Sequence, residues 1–237
     1  MNRPLISVMI GVYNAEPYIA EAIESVFAQS YRPLDVIVAD DGSTDGTAAV
    51  VRSYGDRVRY AHQENKGNGG ARNLAVTLAR GDFYAFLDAD DRFVPDKLER
   101  QMAALQAEPA LDIVFGHVEE FVSPELDEET RARVRPPAAV QPWMAPNLML
   151  IRRESFERVG PFSETLAVGV TVDWFARADE AGLRNLMLPG VVLQRRLHTS
   201  NNGLRHADKR AQYVHVLKAA LDRRRALAAA AEEETAQ

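Results

Sequence analysis

A chain of 237 residues and 26.3 kDa has room for one large domain or two fused halves with an ample core. Its formal net charge of -6 gives no electrostatic footprint for nucleic acid, so a nucleic-acid partner is not expected. The absence of cysteine excludes disulfides and thiolate metal sites and suits a reducing cytoplasm, while the apolar run Leu5 to Val12 is too short for a membrane span and lacks a signal-peptide layout. A cytoplasmic protein without a membrane span is expected, with peripheral membrane association left open.

Leu5 to Val12 reads as a central strand ending at Tyr13-Asn14, followed by an amphipathic helix with Ile19, Ala22, Ile23, Val26 and Phe27 at helical spacing. Leu34 to Ala39 is a second strand closing in Asp40-Asp41, and Gly42 to Thr47 turns into a helix capped by Ser43 or Thr44. Val58 to His62 is a third strand, with a Gly-rich loop (Asn65 to Gly70) and a helix from about Ala71 to Ala79 behind it. Phe83 to Leu87 is a buried fourth strand that ends abruptly in Asp88-Ala89-Asp90-Asp91. Pro95 opens the next helix, and Leu111 to Gly116 is a fifth strand. This alternation predicts a mostly parallel, three-layer α/β sheet with ligands at the carboxyl ends of its strands.

From Val118 to Gln141 charge and proline (Glu119, Glu120, Arg135, Pro136, Pro137) predict a mobile excursion. A helix from about Trp174 to Ala181 and a strand Val191 to Leu193 follow. A terminal helix is expected over Leu204 to Leu227, with Tyr213, Val216, Leu217, Ala220 and Leu221 apolar, ahead of a tail that frays. The chain divides into 1–117 and 118–203, two halves of one domain, and 204–237 for the helix and tail; that helix could serve dimerisation or cover the core.

Three carboxylates within four residues repel one another and call for a counter-charge, for which a hard divalent ion is the simplest candidate; the alternative is a solvated Asp turn capping a helix. Asp40 and Asp41 offer acceptors for a base or ribose, or only cap the next helix. Lys66 to Arg72 combines backbone N–H groups, a helix start and two cations, which favour phosphate, though Arg72 on a helix can equally be a surface arginine. His198, behind Arg195-Arg196, could join Asp90 on a metal or be structural. Asp173 is either a general base or a helix N-cap.

In order and spacing, Val12-Tyr13-Asn14, Val38 to Thr47, Asn65 to Asn73, Phe86 to Asp91, Arg152 to Phe162 and Arg195 to Asn202 resemble the family 2 glycosyltransferases of GT-A fold. The resemblance implies an inverting transferase using a nucleotide-diphosphate sugar, most often a UDP-sugar, with Mg²⁺ or Mn²⁺, and a saccharide, lipid-linked or small-molecule acceptor. By position it implies a donor site of Val12, Tyr13, Asn14, Asp40 (base), Asp41, Lys66, Gly70, Arg72, Asp88, Ala89 and Arg196, with Asp90 and His198 at the metal. The family's base, the Asp of a Glu-Asp pair, falls on Thr171, which cannot act as a base near neutral pH. Asp173 or Asp91 would have to take that role, or catalysis is impaired and the chain is a nucleotide-sugar-binding protein.

Overall fold

The computed structural model describes residues 3–134, 140–199 and 212–235. Ile6, Val8, Ile10 and Val12, β-branched at every second position, form β1 (Ile6–Val12), and β2 (Leu34–Asp40), β3 (Arg59–His62) and β4 (Phe83–Asp88) join it in the parallel order β3-β2-β1-β4. This is the order of a nucleotide-binding half-sheet, and it puts Asn14, Asp41 and Asp88 along one edge. Beyond β4 the sheet continues through β8 (Leu150–Arg152), β6 (Ile113–Val122), β9 (Asn185–Leu197) and β5 (Arg92–Phe93), with β7 (Gln141–Pro142) beside β6. The long β6–β9 ladder is parallel, whereas the antiparallel pairings are two or three residues long. The fold is a mixed α/β sheet, mostly parallel, flanked by helices.

Helices α1 (Ile19–Phe27), α2 (Thr47–Arg52), α3 (Gly67–Leu78), α4 (Lys97–Ala107) and α6 (Arg153–Val159) cover the sheet. Ile19, Ala22, Ile23 and Val26 give α1 the buried stripe its spacing predicts. Under the end of β4 an aromatic cluster ties the layers together. Phe156 stacks on Trp174 at 5.4 Å, and Phe86 meets Phe162 edge-on at 5.5 Å. Trp174 also donates to the Gly160 carbonyl at 2.9 Å, which fixes α7 (Val170–Glu180) against this cluster.

Several sequence expectations change. The fifth strand runs on to Val122, so the 117/118 division falls inside β6 and both halves share one sheet. Glu119 and Glu120 read as loop residues because they are charged, but in the ladder they face Gln194 and Arg195, their bonding partners. The expected excursion also holds a short helix, α5 (Glu128–Arg133), capped by Asp127, which accepts the Thr130 N–H at 2.8 Å; Arg135 to Pro137 lie outside the described residues. The last strand spans Asn185–Leu197, and α7 starts at Val170, with Gly169 at φ +79° as its N-cap; Asp173 is therefore inside the helix and does not cap it.

The terminal helix α8 covers Gln212–Thr235, including the run expected to fray, while 204–211 lie outside the described residues. Val216 and Ala220 are buried, but Leu217 and Leu221 are about half exposed. Among the described residues no helix is long and apolar enough to cross a membrane.

Candidate active site

The strand ends open into a cleft of about 830 Å³. Of the residues singled out in the sequence, Tyr13, Asn14, Asp41, Lys66, Arg72, Asp88, Ala89, Asp90, Asp91 and His198 line it. Val12, Asp40, Gly70, Arg196 and Asp173 do not. Asn14 takes a positive φ of 48°, which Asn tolerates better than most residues, and its Oδ1 accepts the Thr44 N–H at 2.7 Å.

Asp40 is fully buried and spent on its own scaffold: Oδ1 accepts the Ser43 N–H at 2.8 Å and Oδ2 accepts the Tyr60 hydroxyl at 2.6 Å. Asp40, expected at the nucleobase, does not line the cleft, and each of its carboxylate oxygens has a partner within the protein. Its neighbour Asp41 accepts the backbone N–H groups of Lys66 at 2.9 Å and Gly67 at 2.8 Å, and Gln63 Nε2 at 2.7 Å. The first N–H groups of α3, expected to face a phosphate, thus hold a carboxylate of the protein itself. Gly70 serves close packing: a Cβ there would stand 2.5 Å from Lys66 Cβ.

Arg72 is 8% exposed and donates to Asp88 Oδ1 at 2.9 Å, which excludes the surface-arginine reading. Asp88 Oδ2 and Asp91 Oδ2 share the two hydrogens of Asn147 Nδ2, at 3.0 and 2.9 Å. Asp91 also accepts the Arg196 N–H at 2.9 Å. Burial, then the nearby charges of Asp90 and Asp88, push the Asp91 carboxyl well above its usual range. Asn147 sits in the 3₁₀ turn Pro146–Leu148, held from below by buried Lys97, which donates to Gln101 Oε1 at 2.8 Å and the Leu148 carbonyl at 3.2 Å. Nothing in the sequence marks Asn147, which lies more than fifty positions from both aspartates.

Asp90 meets His198 Nε2 at 2.8 Å, and Tyr18 packs on the same imidazole at 4.9 Å between ring centres. Among the described residues no group of three or more His, Cys, Asp and Glu side chains could hold a metal. The Asp90 carboxylate fits Mg²⁺ or Mn²⁺, ions that take further ligands from water and substrate phosphates, and the His198 imidazole fits Mn²⁺ better than the oxygen-seeking Mg²⁺; the pair does not make a closed structural zinc site.

The paired arginines part company. Arg196 turns beneath the aspartate turn, where Nε donates to the Asp90 carbonyl at 3.0 Å, NH1 to Ser123 Oγ at 3.0 Å, and NH2 to Glu21. Its neighbour Arg195 lines the cleft and pairs with Glu120. Thr171 lines the cleft as well. Asp173 does not: its carboxylate accepts Arg177 Nε at 3.0 Å and lies 3.4 Å from Arg223. The proposed base role of Asp173 meets the plain obstacle that both oxygens face arginines behind the cleft wall.

A parallel half-sheet with acidic and basic groups at its carboxyl edge, closed by a second half on the same sheet, defines the GT-A class of fold. The profile of Glycosyl transferase family 2 matches residues 7–165, and the chain belongs to that family. It is 34% identical over 191 residues to an uncharacterized glycosyltransferase of Rickettsia felis, covering 73% of this chain and 31% of that protein. It is 35% identical to the putative glycosyltransferase EpsH of Bacillus subtilis, covering 51% of this chain and 36% of that one. The chain therefore spans about a third of the length of these relatives. Among solved structures, S. aureus TarS 1-349 in complex with UDP-GlcNAc superposes with a TM-score of 0.69 at 22% identity, over 83% of this chain and 60% of that one. The mannosyltransferase PcManGT of Pyrobaculum calidifontis, in complex with GDP-Man and Mn²⁺, does so with a TM-score of 0.67 at 25% identity, over 90% and 62%.

Proposed function

We propose that the chain is a glycosyltransferase unit that moves a sugar from a nucleotide-diphosphate sugar to an acceptor hydroxyl with inversion. The observation that carries this reading is Asp88, Asp90 and Asp91 converging at the end of β4 with Arg72 and His198 beside them. Tyr13, with 45% of its surface exposed, would offer a face to the nucleobase, and Asp88, paired with Arg72, would accept from the ribose or sugar hydroxyls. The donor base is expected to be uracil, with guanine as the alternative suggested by PcManGT.

In the reaction the acceptor oxygen attacks the anomeric carbon, the bond to the diphosphate breaks with its electron pair on the departing oxygen, and the acceptor proton passes to a base. Asp90 and His198 would hold a divalent ion, which when bound stabilises the charge that collects on the diphosphate. Arg72 and Lys66 add positive charge on the donor side of the cleft.

Thermal unfolding with UDP or GDP, each with and without Mn²⁺ or Mg²⁺, tests the donor site. A nucleotide at about 100 times its dissociation constant adds roughly 2.7 kcal/mol. No shift with any nucleoside diphosphate overturns the reading.

Thr171 in the cleft, with Asp173 tied to Arg177 and Arg223, favours a second reading in which the unit binds the nucleotide sugar but transfers slowly or not at all. Binding without hydrolysis or transfer, across a panel of nucleotide sugars, would select it.

A further inference from the structure

The chain has two tryptophans in opposite settings. Trp174 is fully buried in the aromatic cluster, whereas Trp143 is 45% exposed. Trp143 follows directly on β7, whose pairing with β6 (His117 with Pro142) fixes where the indole stands. The Arg195 guanidinium lies 5.3 Å from its ring centre, and Arg195 lines the cleft, so Trp143 stands one side chain back from the cleft, against Arg195. Glu120, 14% exposed, steadies Arg195 from β6.

An indole held on a cation, with exposed surface beside a cleft, matches one kind of ligand well. A pyranose ring presents an apolar patch of C–H groups to an aromatic face and keeps its hydroxyls at the edge, in water. We propose that Trp143, with Arg195 beneath it, forms an acceptor subsite for a saccharide. The sugar ring packs on the open face of Trp143, and the Arg195 guanidinium, held by Glu120, braces the indole from its other face. The surroundings favour a sugar over a lipid surface: Glu119 and Glu120 lie next to Arg195 in the ladder, and carboxylates there oppose anionic headgroups. The location of the subsite rests on the glycosyltransferase reading, since that reading makes Asp88 to Asp91 the donor side.

Iodide reaches Trp143 and not the buried Trp174, so quenching reports on Trp143. Fluorescence of the protein saturated with UDP or GDP and Mn²⁺ is titrated with neutral hexose, N-acetylhexosamine and uronic-acid mono- and disaccharides, with iodide quenching as the second readout. At least one saccharide is expected to shift the emission saturably and shield Trp143 from iodide. By calorimetry, Trp143→Ala weakens that saccharide about tenfold, Trp143→Phe keeps most of the affinity, and both variants bind the nucleotide as the parent does. No response to any saccharide, an affinity that Trp143→Ala leaves unchanged, or a response only to anionic phospholipid vesicles overturns the proposal. Saccharide shielding of Trp143 in a protein that binds no nucleotide would uphold the subsite and overturn the donor reading.

Discussion

Asn147 donates from Nδ2 to Asp91 Oδ2 at 2.9 Å across 56 positions of sequence, and its other amide hydrogen goes to Asp88 Oδ2 at 3.0 Å. One carboxamide thereby keeps two like charges at a set spacing on either side of Asp90. Asn147→Ala is expected to cost about 1–3 kcal/mol, the usual loss when buried acceptors lose their donor, and to weaken nucleotide binding through Asp88. Asn147→Asp should cost more, since it adds a third carboxylate to the pair. Chemical denaturation and calorimetry read the two effects, and unchanged nucleotide affinity in Asn147→Ala would remove Asn147 from the site's support.

The adjacent aspartates of β2 should behave differently. Asp40→Asn disturbs only buried bonds to Ser43 and Tyr60, so a stability loss of about 1–3 kcal/mol is expected with little change in nucleotide affinity. Asp41→Ala frees the start of α3 and the backbone of Lys66 and Gly67, and both stability and nucleotide binding should fall. Equal loss of affinity in the two variants would contradict the division of labour.

Burial, then the bond to the Asp40 carboxylate, pushes the Tyr60 hydroxyl up to about 12. A raised value in the folded state means that the neutral phenol is favoured there. Its stabilising contribution is complete below about pH 10, the unfolded value, and is lost as pH rises from 10 to 12. Absorbance at the phenolate band should show a late-titrating phenol missing in Tyr60→Phe, and the alkaline fall in melting temperature should be shallower in that variant.

Thr171 and Asp173 separate the two functional readings. Thr171→Asp places a carboxylate in the cleft wall, where the family resemblance puts the base, and transfer or donor hydrolysis should rise at least tenfold with nucleotide affinity unchanged. Asp173→Asn removes one partner of Arg177 and of Arg223, which keep the Val159 and Pro161 carbonyls and Glu180, so a loss of at most about 1 kcal/mol in the packing of α7 on α8 is expected, without loss of turnover. Abolished turnover in a folded Asp173→Asn protein would return the base role to Asp173.

How much was legible in the sequence depended on the kind of signal. β1 to β4 and α1 announce themselves through apolar runs and helical spacing, and the polar residues at the strand ends mark one edge of the sheet. β6 was cut short because Glu119 and Glu120 look like loop residues until Gln194 and Arg195 stand opposite them. Strand parity separates Arg195, which lines the cleft, from Arg196, expected at the donor, which turns beneath the aspartate turn.

By itself the sequence determined the half-sheet, its carboxyl edge and the aspartates of β4, because local periodicity and turn chemistry act over a few residues. Only the tertiary structure decided which carboxylates remain available to a ligand. Asp40 and Asp173 are drawn off by Tyr60 and by Arg177 with Arg223, Asp41 by the first amides of α3, and Asp91 and Asp88 are joined by Asn147. A carboxylate's role follows from the donors around it, and most of these come from parts of the chain too distant for spacing to foretell.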